Sequence, residues 1–155
     1  MARDPETTAA IRASFAVGLA VAAYGISFGA LSVAAGPDVR QTCVLSLLMF
    51  SGGSQFALVG ILATGGAAAG GAAIASAALL GTRNALYALR VAPFIGVRWP
   101  LRALAAHWTI DETTAVSTAQ PTLAGQRAGF WWTGAIIYVG WNLMTLLGAL
   151  IGDLL

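Results

Sequence analysis

Three long stretches of this chain carry no charged side chain: between Arg12 and Asp38, between Arg40 and Arg83, and between Arg127 and Asp153. A helix that crosses the hydrocarbon of a bilayer needs about 20 consecutive apolar residues. The first and last windows each accommodate one such helix. The middle window is long enough for two spans, or for one span and a hairpin. Charged residues make up 9% of the 155 residues and hydrophobic ones 58%, against roughly 25% charged in soluble domains. A soluble protein of this size could not solvate its surface with so few charges, so the chain reads as an integral membrane protein.

The remaining composition excludes several classes. The formal net charge is +2, and arginine is the only basic side chain. That is too little charge for a nucleic-acid surface, and the arginines read as topology signals instead. The lone Cys43 excludes an intramolecular disulfide and a multi-cysteine metal site. Arg3, Asp4 and Glu6 precede the apolar run 13–36, which exceeds the core of a cleaved signal peptide, so a retained helix is expected.

Five hydrophobic segments are expected in a single transmembrane domain, at 9–35, 41–64, 68–95, 103–120 and 130–155. Thr7 or Thr8 would cap the first. Its Gly25 and Gly29 have the spacing that lets helix backbones approach closely, and a kink lining a cavity is the functional alternative. The centre of the second reads Phe50-Ser51-Gly52-Gly53-Ser54-Gln55-Phe56, poor material for a continuous helix. Unwound backbone at membrane depth is tolerated only against protein or a water-filled cavity, so a break here points inward. Half-helix ends there would expose N–H or carbonyl groups to substrate or ions. The third segment is rich in alanine and glycine, which predicts tight packing, and is interrupted by Thr82-Arg83-Asn84. Arg83 lies far enough from the Pro93 end to favour a cavity or a carboxylate partner over snorkelling. Trp131 and Trp132 open the fifth segment at the membrane interface.

Arginine placement discriminates between layouts. Five simple spans with the N-terminus inside put Arg98 and Arg102 outside. If the second segment is a re-entrant hairpin, the inside holds Arg3, Arg12, Arg90, Arg98 and Arg102, and the outside Arg40 and Arg127. The positive-inside rule prefers the second layout, with a cytoplasmic N-terminus.

The fourth segment concentrates the ionisable groups His107, Asp111 and Glu112. His107 and Asp111 share a face if the helix is continuous, but a metal site needs a third ligand. The protease pattern His-Glu-x-x-His and the Gly-x-Ser-x-Gly elbow are absent, which argues against an enzyme and against a metal cofactor. Thr109 and Glu112 fit a capping box, which would start a helix inside a hydrophobic segment. Asp111 or Glu112 could pair with Arg83 or carry a coupling proton, and His107 could relay one.

Three stretches together resemble the AzlC/YgaZ family, the large subunit of bacterial branched-chain amino acid exporters. Tyr24-Gly25-Ile26-Ser27-Phe28-Gly29 is similar to its first-helix pattern, with Ser27 where proline is usual. Leu47 to Phe56 resembles its Phe-(Ala/Ser)-Gly-x-x-Gln-Phe stretch. Arg83-Asn84…Tyr87…Ala92-Pro93 and Thr109-Ile110-Asp111-Glu112-Thr113 resemble its Arg-His-x-x-Tyr…Ala-Pro and Thr-Asp-Glu-Thr pair, with Asn84 replacing histidine and Ile110 inserted. The resemblance implies an inner-membrane exporter of branched-chain or similar apolar amino acids, with a small AzlD-type membrane subunit as partner. Leu147-Gly148-Ala149-Leu150 echoes Phe28-Gly29-Ala30-Leu31 as an internal repeat would. On that reading the chain stops where the repeat should continue, and a C-terminally truncated member is expected.

The expected fold is an all-α, polytopic membrane protein with discontinuous or re-entrant helices, part of an inverted-repeat transporter. Ser51, Gly52, Gly53, Ser54 and Gln55, with Tyr24 and Asn84, are the expected substrate-facing residues. Asp111, Glu112, Arg83 and His107 are the expected buried charge and coupling group. A channel, a structural membrane subunit, or an intramembrane metalloenzyme built on His107 and Asp111 are the competing readings.

Overall fold

The computed structural model describes residues 4–155, so Arg3, counted above among the inside charges, lies outside the described residues. Seven α-helices follow one another: α1 (Pro5–Ala34), α2 (Val39–Leu48), α3 (Gly52–Gly65), α4 (Gly70–Ile95), α5 (Leu101–His107), α6 (Asp111–Thr118) and α7 (Leu123–Asp153). A 3-10 turn, Gly66–Ala69, joins α3 to α4, and no strand occurs among the described residues. The stretches Pro5–Ala34, Gly52–Ile95 and Leu123–Asp153 are long and apolar enough to cross a membrane. The protein is therefore all-α and polytopic.

The helix boundaries follow local chemistry, and several depart from the sequence expectation. Thr7 and Thr8 do not cap α1. Pro5 takes the first helical position, where a missing N–H costs nothing, and the Asp4 carbonyl accepts from Thr8 N–H at 3.1 Å. Asp38 caps α2 reciprocally: its carboxylate accepts from Gln41 N–H at 2.8 Å, and its own N–H donates to Gln41 Oε1 at 2.9 Å. The third segment is not interrupted at Thr82-Arg83-Asn84. Thr82 folds its hydroxyl back onto the Leu79 carbonyl at 2.6 Å, and α4 continues through. The fourth segment is two short helices, and α7 begins at Leu123, ahead of Trp131 and Trp132.

The chain divides into two compact units: residues 1–20 with 84–138, and residues 21–83 with 139–155. In the second unit α1 and α7 run parallel in backbone contact. A Cβ on Gly25 would lie 2.6 Å from the Trp141 carbonyl oxygen, and one on Gly29 would overlap the Thr145 carbonyl. Gly148 meets Ile26, and Gly152 meets Ala30, in the same way. The small-residue spacing of Gly25 and Gly29 is thus a packing device. It also accounts for the echo between the two segments. An inverted repeat would set these helices antiparallel, whereas they run parallel and share one interface, so the echo reflects matched packing surfaces.

Against this pair α2 descends antiparallel to α1. The Ser32 and Thr42 hydroxyls are 2.8 Å apart, and Ser46 Oγ donates to Thr145 Oγ1 at 3.3 Å. The chain then turns, and α3 runs back along α1 and α7, with Gly52 beside Trp141 and Phe56 against Phe28. With 10 residues, α2 is only about 15 Å long, half the hydrocarbon thickness. The second segment is a helical hairpin broken in the middle.

The first unit gathers the ends of three helices. Ser14 Oγ bonds Ala10 O and accepts from Thr133 Oγ1 at 2.9 Å, which pins the start of α1 to α7. Val91, Phe94, Ile95, Ala105 and Phe130 form its core. Arg127 Nε donates to the Phe94 carbonyl at 2.7 Å, capping the carboxyl end of α4. Gly96, at φ +58°, turns the chain there. The layout that set Arg127 apart from Arg90, Arg98 and Arg102 is therefore corrected. At 7 and 8 residues, α5 and α6 are too short to carry the chain across, so α7 starts at the end where α4 stops. The alanine-rich α4 is also less enclosed than expected. Ala73 and Ala77 are its buried small positions, while Ile74, Leu79, Leu86 and Leu89 are exposed.

Candidate functional site

The break in the second unit occupies Met49, Phe50 and Ser51, slightly earlier than the glycine pair suggested. Ser51, extended at φ −157° and ψ 100°, starts α3, so Gly52, Gly53, Ser54 and Gln55 form its first turn. Helix geometry leaves the N–H groups of Gly52, Gly53 and Ser54 without intrahelical acceptors. Gln55 N–H is taken by the Ser51 carbonyl at 2.9 Å.

Gln55 is fully buried, and its amide organises the break. Nε2 donates to the Met49 carbonyl at 2.6 Å and to the Ser46 carbonyl at 3.4 Å. Both acceptors belong to the carboxyl end of α2, which has no helical donors left for them. One side chain on α3 thereby ties down the end of α2, where the Met49 carbonyl also accepts from Ser51 N–H at 2.8 Å. Its Oε1 is left buried without a hydrogen-bond partner. Leaving a buried polar group unmet costs about 1–3 kcal/mol. Ser51 and Ser54, both buried, bond each other at 3.3 Å.

The walls are aromatic on one side and cationic on another. Trp141 lies edge-on to Gly52, where a Cβ would stand 3.4 Å from the indole ring. Phe28, Phe56 and Trp141 form a triangle with centroids 5.7, 6.1 and 6.3 Å apart. The Arg83 guanidinium covers Gly53 so closely that a Cβ there would lie 2.6 Å from Nη2. A side chain at 53 would have to push the guanidinium aside. Trp141 Nε1 is a second buried atom without a partner. Trp141 escaped the sequence reading because it reaches the break through tertiary contact alone, with no local motif around it. Tyr24, expected at the site, is 65% exposed and does not belong to a buried pocket.

The α5–α6 break in the first unit is built differently. Thr109 does not start α6. Its hydroxyl donates to the Ala105 carbonyl at 2.7 Å and completes α5. Thr113 takes the capping role: Oγ1 accepts from Ile110 N–H at 3.0 Å and donates to Trp108 O at 2.8 Å. Thr114 Oγ1 donates to the Ile110 carbonyl at 2.8 Å. His107 ends α5 and Asp111 begins α6, so they do not share one helix face. The His107 ring packs edge-on to Tyr138 at 5.5 Å. Asp111 is exposed and Glu112 half-buried, at the helix end that favours acidic groups. The buried acidic group expected from the sequence is thus not fully buried. No group of three His, Cys, Asp or Glu fit to hold a metal occurs among the described residues. Arg83 falls in the second unit and Asn84 in the first, where Asn84 Oδ1 is buried without a partner.

Long apolar helices and a hairpin broken at buried polar residues define a polytopic membrane protein. The profile of the AzlC protein family matches residues 16–155, and the chain belongs to that family, which is associated with branched-chain amino acid transport. Comparison with curated proteins and with solved structures finds no match.

Proposed function

We propose that this protein is the large subunit of a bacterial inner-membrane exporter of branched-chain or related apolar amino acids, with the α2–α3 break as its substrate site. The observation that carries this reading is the unfilled polarity of that break. The first N–H groups of α3 have no intrahelical acceptor, the Gln55 oxygen has no partner, and Arg83 stands over Gly53. Positive helix ends suit a carboxylate, and the Phe28, Phe56 and Trp141 rings suit an aliphatic side chain.

Family membership supports transport in preference to catalysis, and a small AzlD-type subunit as partner. The exposed leucines of α4 offer that subunit an apolar face. Arg12, Arg90, Arg98, Arg102 and Arg127 all belong to the first unit, so the positive-inside rule turns their end, and the N-terminus, to the cytoplasm. Asp111 and Glu112, with His107 beside them in sequence, are the candidates for proton coupling. Asn84 is a further candidate for substrate contact.

The test is efflux. The chain, expressed with a small subunit in cells lacking their own exporter, should lower the internal leucine that accumulates from a leucine-containing dipeptide. Gln55→Ala should abolish this at unchanged membrane abundance. Efflux by Gln55→Ala equal to that of the unaltered chain would overturn the assignment of the site, and flux that never saturates would point to a channel.

A further inference from the structure

Trp141 sits on α7 in the second unit and is 5% exposed. A buried indole N–H ordinarily finds an acceptor, yet Nε1 of Trp141 has none. Packing does not account for this. A phenylalanine would make the same aromatic triangle with Phe28 and Phe56 without burying an unmet donor.

A complementary orphan lies on the same structural element that Trp141 touches. Gln55 Oε1 is an unmet acceptor on the first turn of α3, and Trp141 abuts Gly52 of that turn. The Gln55 amide cannot relieve itself by rotating, because its nitrogen is held by the Met49 and Ser46 carbonyls. A flip would set the oxygen against those two oxygens. Gln55 Oε1 on the first turn of α3 and Trp141 Nε1 on the adjoining α7 are thus an acceptor and a donor, both buried and both unmet, on two elements in contact.

We infer that Trp141 recognises the substrate's carboxylate. Its indole N–H donates to the carboxylate of a zwitterionic amino acid, and Gln55 Oε1 accepts from the ammonium. The Phe28 and Phe56 rings then face the aliphatic side chain. This rests on the reading of the α2–α3 break as the substrate site. It predicts that an amino acid whose carboxylate is masked as an amide gains less from Trp141, since its carbonyl accepts only a neutral hydrogen bond.

Trp141→Phe keeps the ring and removes the donor. In proteoliposomes of the complex with its small subunit, it should raise the KM for leucine roughly ten-fold or more. It should raise the KM for leucine amide by a clearly smaller factor, because only a neutral hydrogen bond is lost there. An unchanged leucine KM in Trp141→Phe, with Gln55→Ala inactive, overturns the role of Trp141 and leaves the site assignment standing. Unchanged KM in both variants overturns the site itself. A packing role alone would move both substrates equally.

Should Trp141→Phe not fold, the unaltered protein gives the answer. Its indole N–H resonances, assigned through single substitutions at Trp99, Trp108, Trp131 and Trp132, should include one, that of Trp141, which shifts further downfield with leucine than with leucine amide. The absence of any such shift at saturating leucine rejects the proposal.

Discussion

Two helix breaks, one in each unit, use the same materials to different ends. Both lie between a short helix and a second helix that begins with polar residues. At the α5–α6 break, Thr109, Thr113 and Thr114 turn their hydroxyls onto nearby backbone and close the gap. At the α2–α3 break, Gln55 closes the α2 side with its nitrogen and leaves its oxygen over. A break whose backbone is satisfied by its own threonines is a structural joint. A break that keeps a buried acceptor unmet is held ready for something else. The difference lies in the break's own polar side chains: the threonines of the α5–α6 joint are all bonded, although the Trp108 indole N–H beside them is also buried without a partner, whereas Gln55 keeps an oxygen over.

Four substitutions probe the contrast, in decreasing order of expected effect. Gln55→Leu keeps volume but removes the amide donor to the Met49 and Ser46 carbonyls, leaving Met49 only its bond from Ser51 N–H. It should abolish efflux and lower stability by about 1–3 kcal/mol, read from thermal melting in detergent. Normal melting with lost efflux would mean that the amide serves substrate only. Gly53→Val drives a side chain into the Arg83 guanidinium. Efflux should fall by roughly ten-fold, as expected for about 1.4 kcal/mol of lost binding, with a smaller change in melting than for Gln55→Leu. Thr113→Val removes both bonds of the α6 cap, and stability should drop by about 0.5–2 kcal/mol. Efflux per folded molecule should hold within two-fold, and a larger loss would move this joint into the transport machinery. Asp111→Asn removes a charge from the start of α6 and should cost about 0.3–1 kcal/mol. If Asp111 carries the coupled proton, this variant's efflux becomes insensitive to external pH, and an unchanged pH profile removes it from that role.

Much of this was readable in the chain itself. Charge-free windows give the membrane, because bilayer thickness and the helical rise leave few other solutions. Gly52 and Gly53 beside Gln55 announce a break, since glycine weakens a helix and a glutamine in an apolar run needs partners. The register of the caps was less legible. Thr109 and Thr113 are both competent hydroxyls, and which one caps depends on where α5 stops, a matter of packing around Ala105 and Phe130. The side of Arg127 was not legible either, because it turns on whether α5 and α6 cross. Trp141 was silent in sequence: its distance along the chain from Gly52 hides a contact that exists only after α7 has packed on α1.

The glycine seam between α1 and α7 carries a mechanical consequence. Backbone set directly on backbone, as at Gly29 and Gly148, has no side chains to yield. Interlocked surfaces of this kind resist sliding, since a shift of one atom's width produces collision. Within the second unit those two helices act as a rigid spar. The hairpin meets that spar through hydroxyl pairs and the ring edges of Phe56 against Phe28 and Trp141. Any stroke that carries cargo through this unit is expected in the hairpin, with the three residues Met49, Phe50 and Ser51 as its flexure.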